Sequence, residues 1–361
     1  MLNIKTSELL EPNQIADEWQ QLEQKCESVE CFVSWPWIST WLSTLVNSAK
    51  LFRVYDNQKL IALAIVCETD NKNIKVGFGK TAYLHKTGYS HLDEIWIEYN
   101  QALVLPNYEL SAHQAIIDYL LTQPSINQVE FGVSVSDKIS MINCAMKKEI
   151  WQQPSYSTKL MNWPKDSAST QLPQHLSKNF KRQLKRSNQA FRKFGELKLS
   201  VASTLSDKQA YLEALGELHK TKWLSSSKGF NNSDFVRFHH QLILQHPNFC
   251  QILKIDAGDT NLGYLYFFTY RQKAYFYMSG LQTFSDNKLK SGISCHYLAI
   301  CHFAQQAFTH YDFMAGYARY KASFSERVIQ MQSTRFFKSS IQNRLLFIAY
   351  KIKHIIFNTK H

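Results

Sequence analysis

The sequence predicts an α/β chain, in closer detail an α+β arrangement of two similar lobes, and three observations carry that expectation. The chain has 361 residues, 45% of them hydrophobic and 19% charged, which is a globular composition long enough for two separate cores. The order hairpin, helix, strand occurs twice along it. Between the two occurrences runs a polar connection punctuated by Pro154, Pro164 and Pro173, which places a lobe boundary near residues 150–175. The expected division is therefore 1–160 for the first lobe, 161–334 for the second and 335–361 for a C-terminal helix.

The elements follow in order. Trp35, Trp37, Ile38 and Trp41 form an early W-x-W-I-x-x-W. LFRVYDNQKLIALAIVCE (Leu51 to Glu68) reads as strand, tight turn and apolar strand. TGYSHLDE (Thr87 to Glu94) precedes another apolar stretch. SAHQAIIDYLLTQ (Ser111 to Gln123) has a helical period and leads to the short strand QVEFG (Gln128 to Gly132).

After the connection, LSKNFKRQLKRSNQAFRKFG (Leu176 to Gly195) is a basic amphipathic helix. Leu176, Phe180, Leu184, Phe191 and Phe194 share one face, seven lysines and arginines crowd the rest, and Gly195 suits a C-cap. A second helix is expected after Ser206, where SDKQ fits a capping box, with Tyr211, Leu215, Leu218 and Trp223 on its apolar side. CQILKIDAGDTNLGYLYFFTY (Cys250 to Tyr270) repeats the strand, turn, strand pattern. SGISCHYLAICHFAQQAF (Ser291 to Phe308) is helical and leads to HYDFMAG (His310 to Gly316). The C-terminal stretch mixes Leu345, Leu346, Ile348, Ile352, Ile355 and Ile356 with Arg344, Lys351, Lys353 and Lys360. It either lies on an anionic membrane surface or packs against the first lobe.

The N-terminus carries no basic stretch followed by an apolar run, and no segment reaches 18 uninterrupted apolar residues. Seven cysteines, an odd number without a C-x-x-C pair, point to a reduced, cytoplasmic protein. No metal is expected: Cys295-His296 and Cys301-His302 lie six residues apart, about 600° around a helix, on different faces. The net charge of +12 calls for an anionic partner: nucleotide, nucleic acid, acyl carrier or membrane surface.

This order of elements, together with D-F-x-x-G-x-x-x-Y-K at Asp312 to Lys321, resembles the acetyltransferase family of cellulose and exopolysaccharide biosynthesis (CelD/BcsL-like). That family is similar to the FemABX peptidyltransferases, and both are built from GNAT folds. The basic helix, LHKTKWL, the strand pair GYLYFFTYRQKAYFYMSGLQ and the helix beginning KSGIS carry the resemblance over roughly residues 30 to 330. It implies tandem GNAT-like lobes, each a mixed, mostly antiparallel sheet flanked by helices. It further implies an acyl-thioester donor, acyl-CoA or acyl carrier protein, in the second lobe, and an acceptor in the cleft between lobes.

The donor site is expected at DNKLKSGIS, on Lys288, Lys290, Ser291, Gly292, Ile293 and Ser294. There a helix N-terminus offers unpaired N–H groups to an anion and Gly292 allows close approach of the main chain. LKSGIS keeps only the first glycine of the usual Q/R-x-x-G-x-G/A signature. Asp312, Tyr317 and Lys321 project from a strand end and the following loop, where acyl transfer needs polar groups. Lys321 matches the lysine of the Fem relatives that sits near the reacting ester, and is assigned stabilisation of the developing charge. Asp312 is a base or orients Lys321, and Tyr317 donates a proton to the leaving thiol. His219 is a further candidate on the second helix, and Tyr277 a pocket-lining one. In the first lobe, Thr87, Gly88, His91, Asp93 and Trp37 form a candidate site for a sugar acceptor. Each of these residues is equally suited to packing, capping or a solvated surface.

Three functions remain open on the sequence. The first is acyl transfer from a thioester to an amine or hydroxyl of a sugar, amino-sugar or nucleotide-sugar in glycan biosynthesis, at the inner face of the membrane or free of it. The second is Fem-like transfer from aminoacyl-tRNA, with the basic helix on the tRNA. The third is RNA binding without chemistry, drawing on the charge and the 14% aromatic content.

Overall fold

A computed structural model describes residues 2–9, 11–45, 48–70, 79–167, 169, 171–222, 228–341 and 343–344. Its packing divides the chain into two compact units: residues up to Gln152 with those from Gln330 onward, and Gln153–Ile329.

The first unit opens with β1 (Asn3–Leu9), α1 (Ala16–Lys25) and α2 (Trp35–Ser43). The hairpin of β2 (Ala49–Asp56) and β3 (Lys59–Asp70) follows, turning at Asn57 with φ +53°. Then come β4 (Lys80–Leu84), the two-residue β5 (Leu103–Val104), α3 (Glu109–Thr122), β6 (Ile126–Val135) and α4 (Ser136–Ser140). β7 (Lys147–Lys159) leads into the second unit, which continues with α5 (Lys178–Phe191), β8 (Leu197–Val201), α6 (Leu205–Lys222) and α7 (Ser233–Gln245). The second hairpin, β9 (Cys250–Ala257) and β10 (Thr260–Tyr270), turns at Gly258 with φ +56°. β11 (Lys273–Leu281), α8 (Ser291–Gln305), β12 (His310–Ala315) and α9 (Arg319–Phe324) complete it, and β13 (Arg327–Phe337) returns to the first unit.

Both units realise one plan. In the first, the strand order is β1-β2-β3-β4-β6-β13, with β5 against β3; in the second it is β8-β9-β10-β11-β12-β7. Pairing is antiparallel except between β4 and β6 and between β11 and β12, which are joined by α3 and α8. A hairpin and a third antiparallel strand arise from short turns. A parallel neighbour requires a crossover helix, so each hairpin, helix, strand pattern in the sequence became the same half-sheet. The fold is thus mixed α/β with mostly antiparallel sheet flanked by helices, as the sequence predicts.

The second unit's core lies between its sheet and the pair α5 and α8. Phe180, Leu184 and Phe191 of α5 meet Tyr297, Leu298 and Cys301 of α8 over Leu253, Leu265 and Phe267. That is the apolar face read from the sequence, with Phe194 excepted, since it stays 48% exposed.

Three local expectations change. α6 begins earlier than predicted, because its capping box is Thr204 and Asp207: Thr204 Oγ1 accepts the Asp207 N–H at 3.0 Å and Asp207 Oδ2 accepts the Thr204 N–H at 3.0 Å. Gly195 does not cap α5, which ends at Arg192. It serves a close approach instead, since with φ +143° a Cβ there would lie 2.4 Å from Gly258 Cα. Gly195→Ala should therefore cost about 2 kcal/mol or more in a urea titration. Finally, Arg335 to Phe337 of the expected C-terminal helix finish β13. The rest of that expectation, residues 342 and 345–361, falls outside the described residues, as does Trp223.

Candidate active site

The most open feature of the second sheet is the junction of its two parallel strands. β11 and β12 pair at Lys273/His310, Ala274/Tyr311 and Tyr275/Asp312 and no further, although β11 runs on to Leu281 and β12 to Ala315. Beyond Tyr275 the strands splay and leave backbone donors and acceptors along a notch. Such an edge suits an extended, amide-bearing ligand. A bulge in β12 helps to open it. The register against β7 shifts between Asp312 and Met314, Met314 has φ +60°, and Asp312 Oδ1 accepts the Met314 N–H at 2.7 Å.

The N-terminus of α8 lies at the open end of this notch. Ile293 and Ser294 already bond their N–H groups to Lys290 O, whereas the N–H groups of Ser291 and Gly292 meet no acceptor among the described residues. A Cβ at Gly292 would meet only Leu281 Cδ1, at 3.5 Å, so the main chain is approachable there. Ser291, Gly292 and Ile293 line a cavity of about 530 Å³ with Phe180 and Gln183 of α5, Leu281 at the end of β11, Gln282, Thr283 and Phe284 after it, and Arg319, Tyr320 and Ser323 of α9. Unpaired N–H groups, the helix dipole, Lys290 and Arg319 make one end of it electropositive, while Leu281, Phe284 and Tyr320 make the other apolar.

Of the six predicted donor residues, Lys290, Ser291, Gly292 and Ile293 line this cavity. Ser294 does not: it is fully buried, and its Oγ lies 2.9 Å from Ser187 Oγ of α5. Ser187 Oγ also accepts the Lys290 N–H at 3.1 Å, so this serine pair fixes the start of α8 against α5. Lys288 is exposed and outside the lining, its N–H held by Asp286 Oδ1 at 2.8 Å.

Lys321 sits on α9, with Nζ donating to Ala315 O at 2.9 Å and Met314 O at 3.4 Å. That places a cation at the end of β12, where the notch opens. Gly316, with φ +106°, makes the turn that brings it there, and a Cβ on it would lie 3.7 Å from Lys321 Nζ. Asp312 is buried and pins the bulge. Tyr317 is 75% exposed, a position that suits solvent contact more than a proton donor enclosed with a thiol.

Behind the notch, residues not assigned from the sequence form an aromatic box. His296 of α8 is fully buried, with Nδ1 2.6 Å from Tyr311 Oη and its ring stacked on Tyr320 at 4.9 Å. Burial, and secondarily Lys321, lowers its pKa to about 3, so it is neutral. On the opposite sheet face, Tyr277 is half-buried with Oη 3.3 Å from His239 Nε2. His239 Nδ1 in turn lies 3.3 Å from Tyr266 Oη, which is 3.2 Å from Cys250 Sγ. His219 packs on a turn instead of a site: its ring lies 5.8 Å from Phe230, and a Cβ on Gly229 would touch its Cε1 at 3.2 Å.

The first unit's candidates take structural places. Trp37 is fully buried against Phe32 and offers no ring face to an acceptor, which corrects that assignment. Asp93 closes its own loop by accepting Thr87 N–H at 2.7 Å, Thr87 Oγ1–H at 2.8 Å and Gly88 N–H at 2.8 Å. Burial outweighs these bonds and the nearby Lys86, raising its pKa. His91 is exposed beside Tyr89. The notch equivalent to that of β11 and β12 is filled by the chain itself. Asn100 Nδ2 donates to Leu84 O at 2.7 Å and Gly132 O at 3.1 Å, bridging the ends of β4 and β6, and its N–H donates to Val133 O at 2.8 Å. Among the described residues the open notch is that of the second unit.

Among the described residues no helix is long and apolar enough to cross a membrane, and no group of three or more His, Cys, Asp or Glu is arranged to hold a metal.

Residues 178–322, which contain β11, β12, the start of α8 and Lys321, match the family model of an acetyltransferase (GNAT) domain. No curated protein matches the chain. Among solved structures, FemX superposes with a TM-score of 0.57 at 6% identity, over 95% of this chain and 100% of that one. A conserved protein of unknown function from Bacteroides thetaiotaomicron gives 0.54 at 11%, over 92% and 100%. The C-terminal domain of a putative lysylphosphatidylglycerol synthetase from Agrobacterium fabrum gives 0.54 at 7%, over 94% and 96%. At these identities the likenesses show the fold. The domain match supports an acyltransferase and likens residues 178–322 to GNAT acetyltransferases, and the notch is the candidate site within them.

Proposed function

We propose that the chain transfers an acyl group from a thioester donor, acyl-CoA in the first instance, to an amine or hydroxyl of a sugar or amino-sugar, as in the CelD/BcsL-like enzymes. The observation that carries the donor half is the splayed notch ending at the open N–H groups of Ser291 and Gly292. The pantetheine arm would run along the unpaired edge of β11 and its pyrophosphate would meet α8. An acyl carrier protein would present the same arm. The acceptor heteroatom attacks the thioester carbonyl, the C–S bond breaks, the acceptor's proton leaves and the thiolate is protonated.

Lys321 is the residue assigned to the charge that develops, since its Nζ sits on the carbonyls at the end of β12. Lys321→Ala should lower turnover on the order of 10²-fold, the usual cost of removing one electrostatic donor. The readout is thiol release from acetyl-CoA with a panel of amino-sugars, alongside coenzyme A affinity and melting temperature. Unchanged turnover with a lowered melting temperature would make Lys321 a fastener of α9 on β12 and nothing more.

Aminoacyl-tRNA-dependent transfer is the second reading. It is favoured by the exposed Lys178, Arg182, Lys185 and Arg186 of α5, and predicts steep salt dependence of RNA binding. The C-terminal stretch remains the proposed contact with an anionic membrane surface, and cytoplasmic location remains a proposal with it.

A further inference from the structure

α5 has a second face. Phe180 and Gln183 line the donor cavity, whereas Lys181, Arg182, Lys185, Asn188, Gln189 and Arg192 line a separate cavity of about 490 Å³. Its other walls are Leu172, Leu184, Ser167, Ser169 and Tyr297, whose hydroxyl donates to Ser167 O at 3.3 Å and Ser169 O at 3.4 Å.

Two features of this cavity are unfavourable as they stand. Lys181, Arg182, Lys185 and Arg192 bring four positive charges to one concavity, and none forms an ion pair among the described residues, Arg182 donating to Asn179 Oδ1 instead. Asn188 is 7% exposed, and its Oδ1 has no hydrogen-bond partner among the described residues. An unpaired buried acceptor and mutually repelling cations both lower stability. One kind of ligand relieves both. It needs a phosphate for the cations and a hydroxyl to donate to Asn188 Oδ1, and the apolar surface of Leu172, Leu184 and Tyr297 suits a ring between them.

The geometry points to a binding site for a phosphorylated, hydroxyl-bearing ring compound, the chemistry shared by nucleotides and sugar phosphates, on the face of α5 away from the donor cavity. A nucleic-acid strand is the weaker fit. It would lie on the exposed rim of α5 and leave the recessed Asn188 oxygen unpaired. The site does not depend on the acyltransfer reading.

The test is isothermal titration of the full chain, free of coenzyme A because its adenosine phosphate belongs to the class tested, with adenosine 5′-diphosphate, glucose 6-phosphate and inorganic phosphate in separate arms. One ring compound should bind at least about tenfold more tightly than phosphate, and which one identifies the source. Lys185→Ala with Arg192→Ala should weaken it by a further tenfold or more. Asn188→Ala should weaken it about tenfold while the unliganded protein melts no lower, because the substitution removes an unpaired acceptor and favours the helix. Three results would each overturn the proposal: no binding in any arm, equal binding of phosphate and ring compounds that Asn188→Ala leaves unchanged, or tighter binding of single-stranded RNA with a steep salt slope.

Discussion

Gly292→Asp should weaken coenzyme A binding roughly a hundredfold while the protein melts at the same temperature or slightly higher. The two effects have opposite signs because they use the same helix terminus differently. A carboxylate in the first turn of α8 interacts favourably with the helix dipole, typically by about 0.3–1 kcal/mol. The Cβ has room, its nearest neighbour being Leu281 Cδ1 at 3.5 Å, and φ at Gly292 is not in the left-handed region. Folding is therefore not impaired. A phosphate seated on the Ser291 and Gly292 N–H groups would face that carboxylate. Two like charges about 5 Å apart at an effective dielectric near 20 repel by about 3 kcal/mol, roughly a hundredfold in affinity.

Gly292→Ala is the control, since it adds the Cβ without the charge and should lose less than about tenfold. Titration calorimetry and a melting curve on the three proteins separate the readings. If coenzyme A binds Gly292→Asp as tightly as the original, its phosphates are not on α8 and the donor site lies elsewhere. If all three fail to bind, the donor is not coenzyme A, and carrier-protein or aminoacyl-tRNA donors come forward.

The start of α8 was legible because a lysine-rich loop, a glycine and a helical period are all local. What the notch needs besides is not local. That β11 and β12 pair at three positions and then part depends on strands some 37 residues apart in register, Tyr275 and Asp312. Ser294 looked like part of a phosphate loop until Ser187, 107 residues earlier, was found against it. Tyr320, one letter of the terminal motif, both stacks on His296 and lines the cavity. Trp37 illustrates the limit from the other side: tryptophans at i, i+2 and i+6 serve a core or a sugar platform with the same letters, and only burial decides. The repeated hairpin, helix, strand order was the most secure reading. Turn chemistry and hydrophobic period fix each piece, and the crossover rule then leaves few ways to assemble them. Why one repeat kept an open notch and the other did not rests on Asn100, a residue with nothing distinctive about its neighbours in the sequence.

Both units should lose stability steeply as pH falls from 6.5 towards 4, before most carboxylates titrate. His85, His239 and His296 are held near a pKa of about 3 and His113 near about 4, in every case chiefly by burial. In the unfolded chain each returns to about 6.5. The unfolded state therefore binds protons below pH 6.5 that the folded state refuses, and unfolding is favoured progressively down to the folded pKa. At pH 6.5 half of each unfolded imidazole is already charged, a loss of about 0.4 kcal/mol per ring, and by pH 8 all four are neutral in both states and cost nothing. At pH 5 each contributes about 2 kcal/mol of lost stability, or about 4 kcal/mol for the pair in each unit, against a typical total of about 5–15 kcal/mol. The lowered Glu109 and Glu130 act in the same direction but only where unfolded carboxylates protonate, nearer pH 4.5, while the raised Asp93 opposes them there. Urea titrations followed by circular dichroism at pH 8, 6.5, 5.5 and 5 should give a fall of about 1 kcal/mol or less per unit between the first two and of several kcal/mol by the last. His239→Gln should flatten the second unit's slope by less than half, because His296 and the less buried His246 and His302, whose pKa values burial also lowers, keep the rest. A flat profile down to pH 5 would mean that these rings take up protons in the folded state, and hence that the aromatic boxes around His239 and His296 open to water.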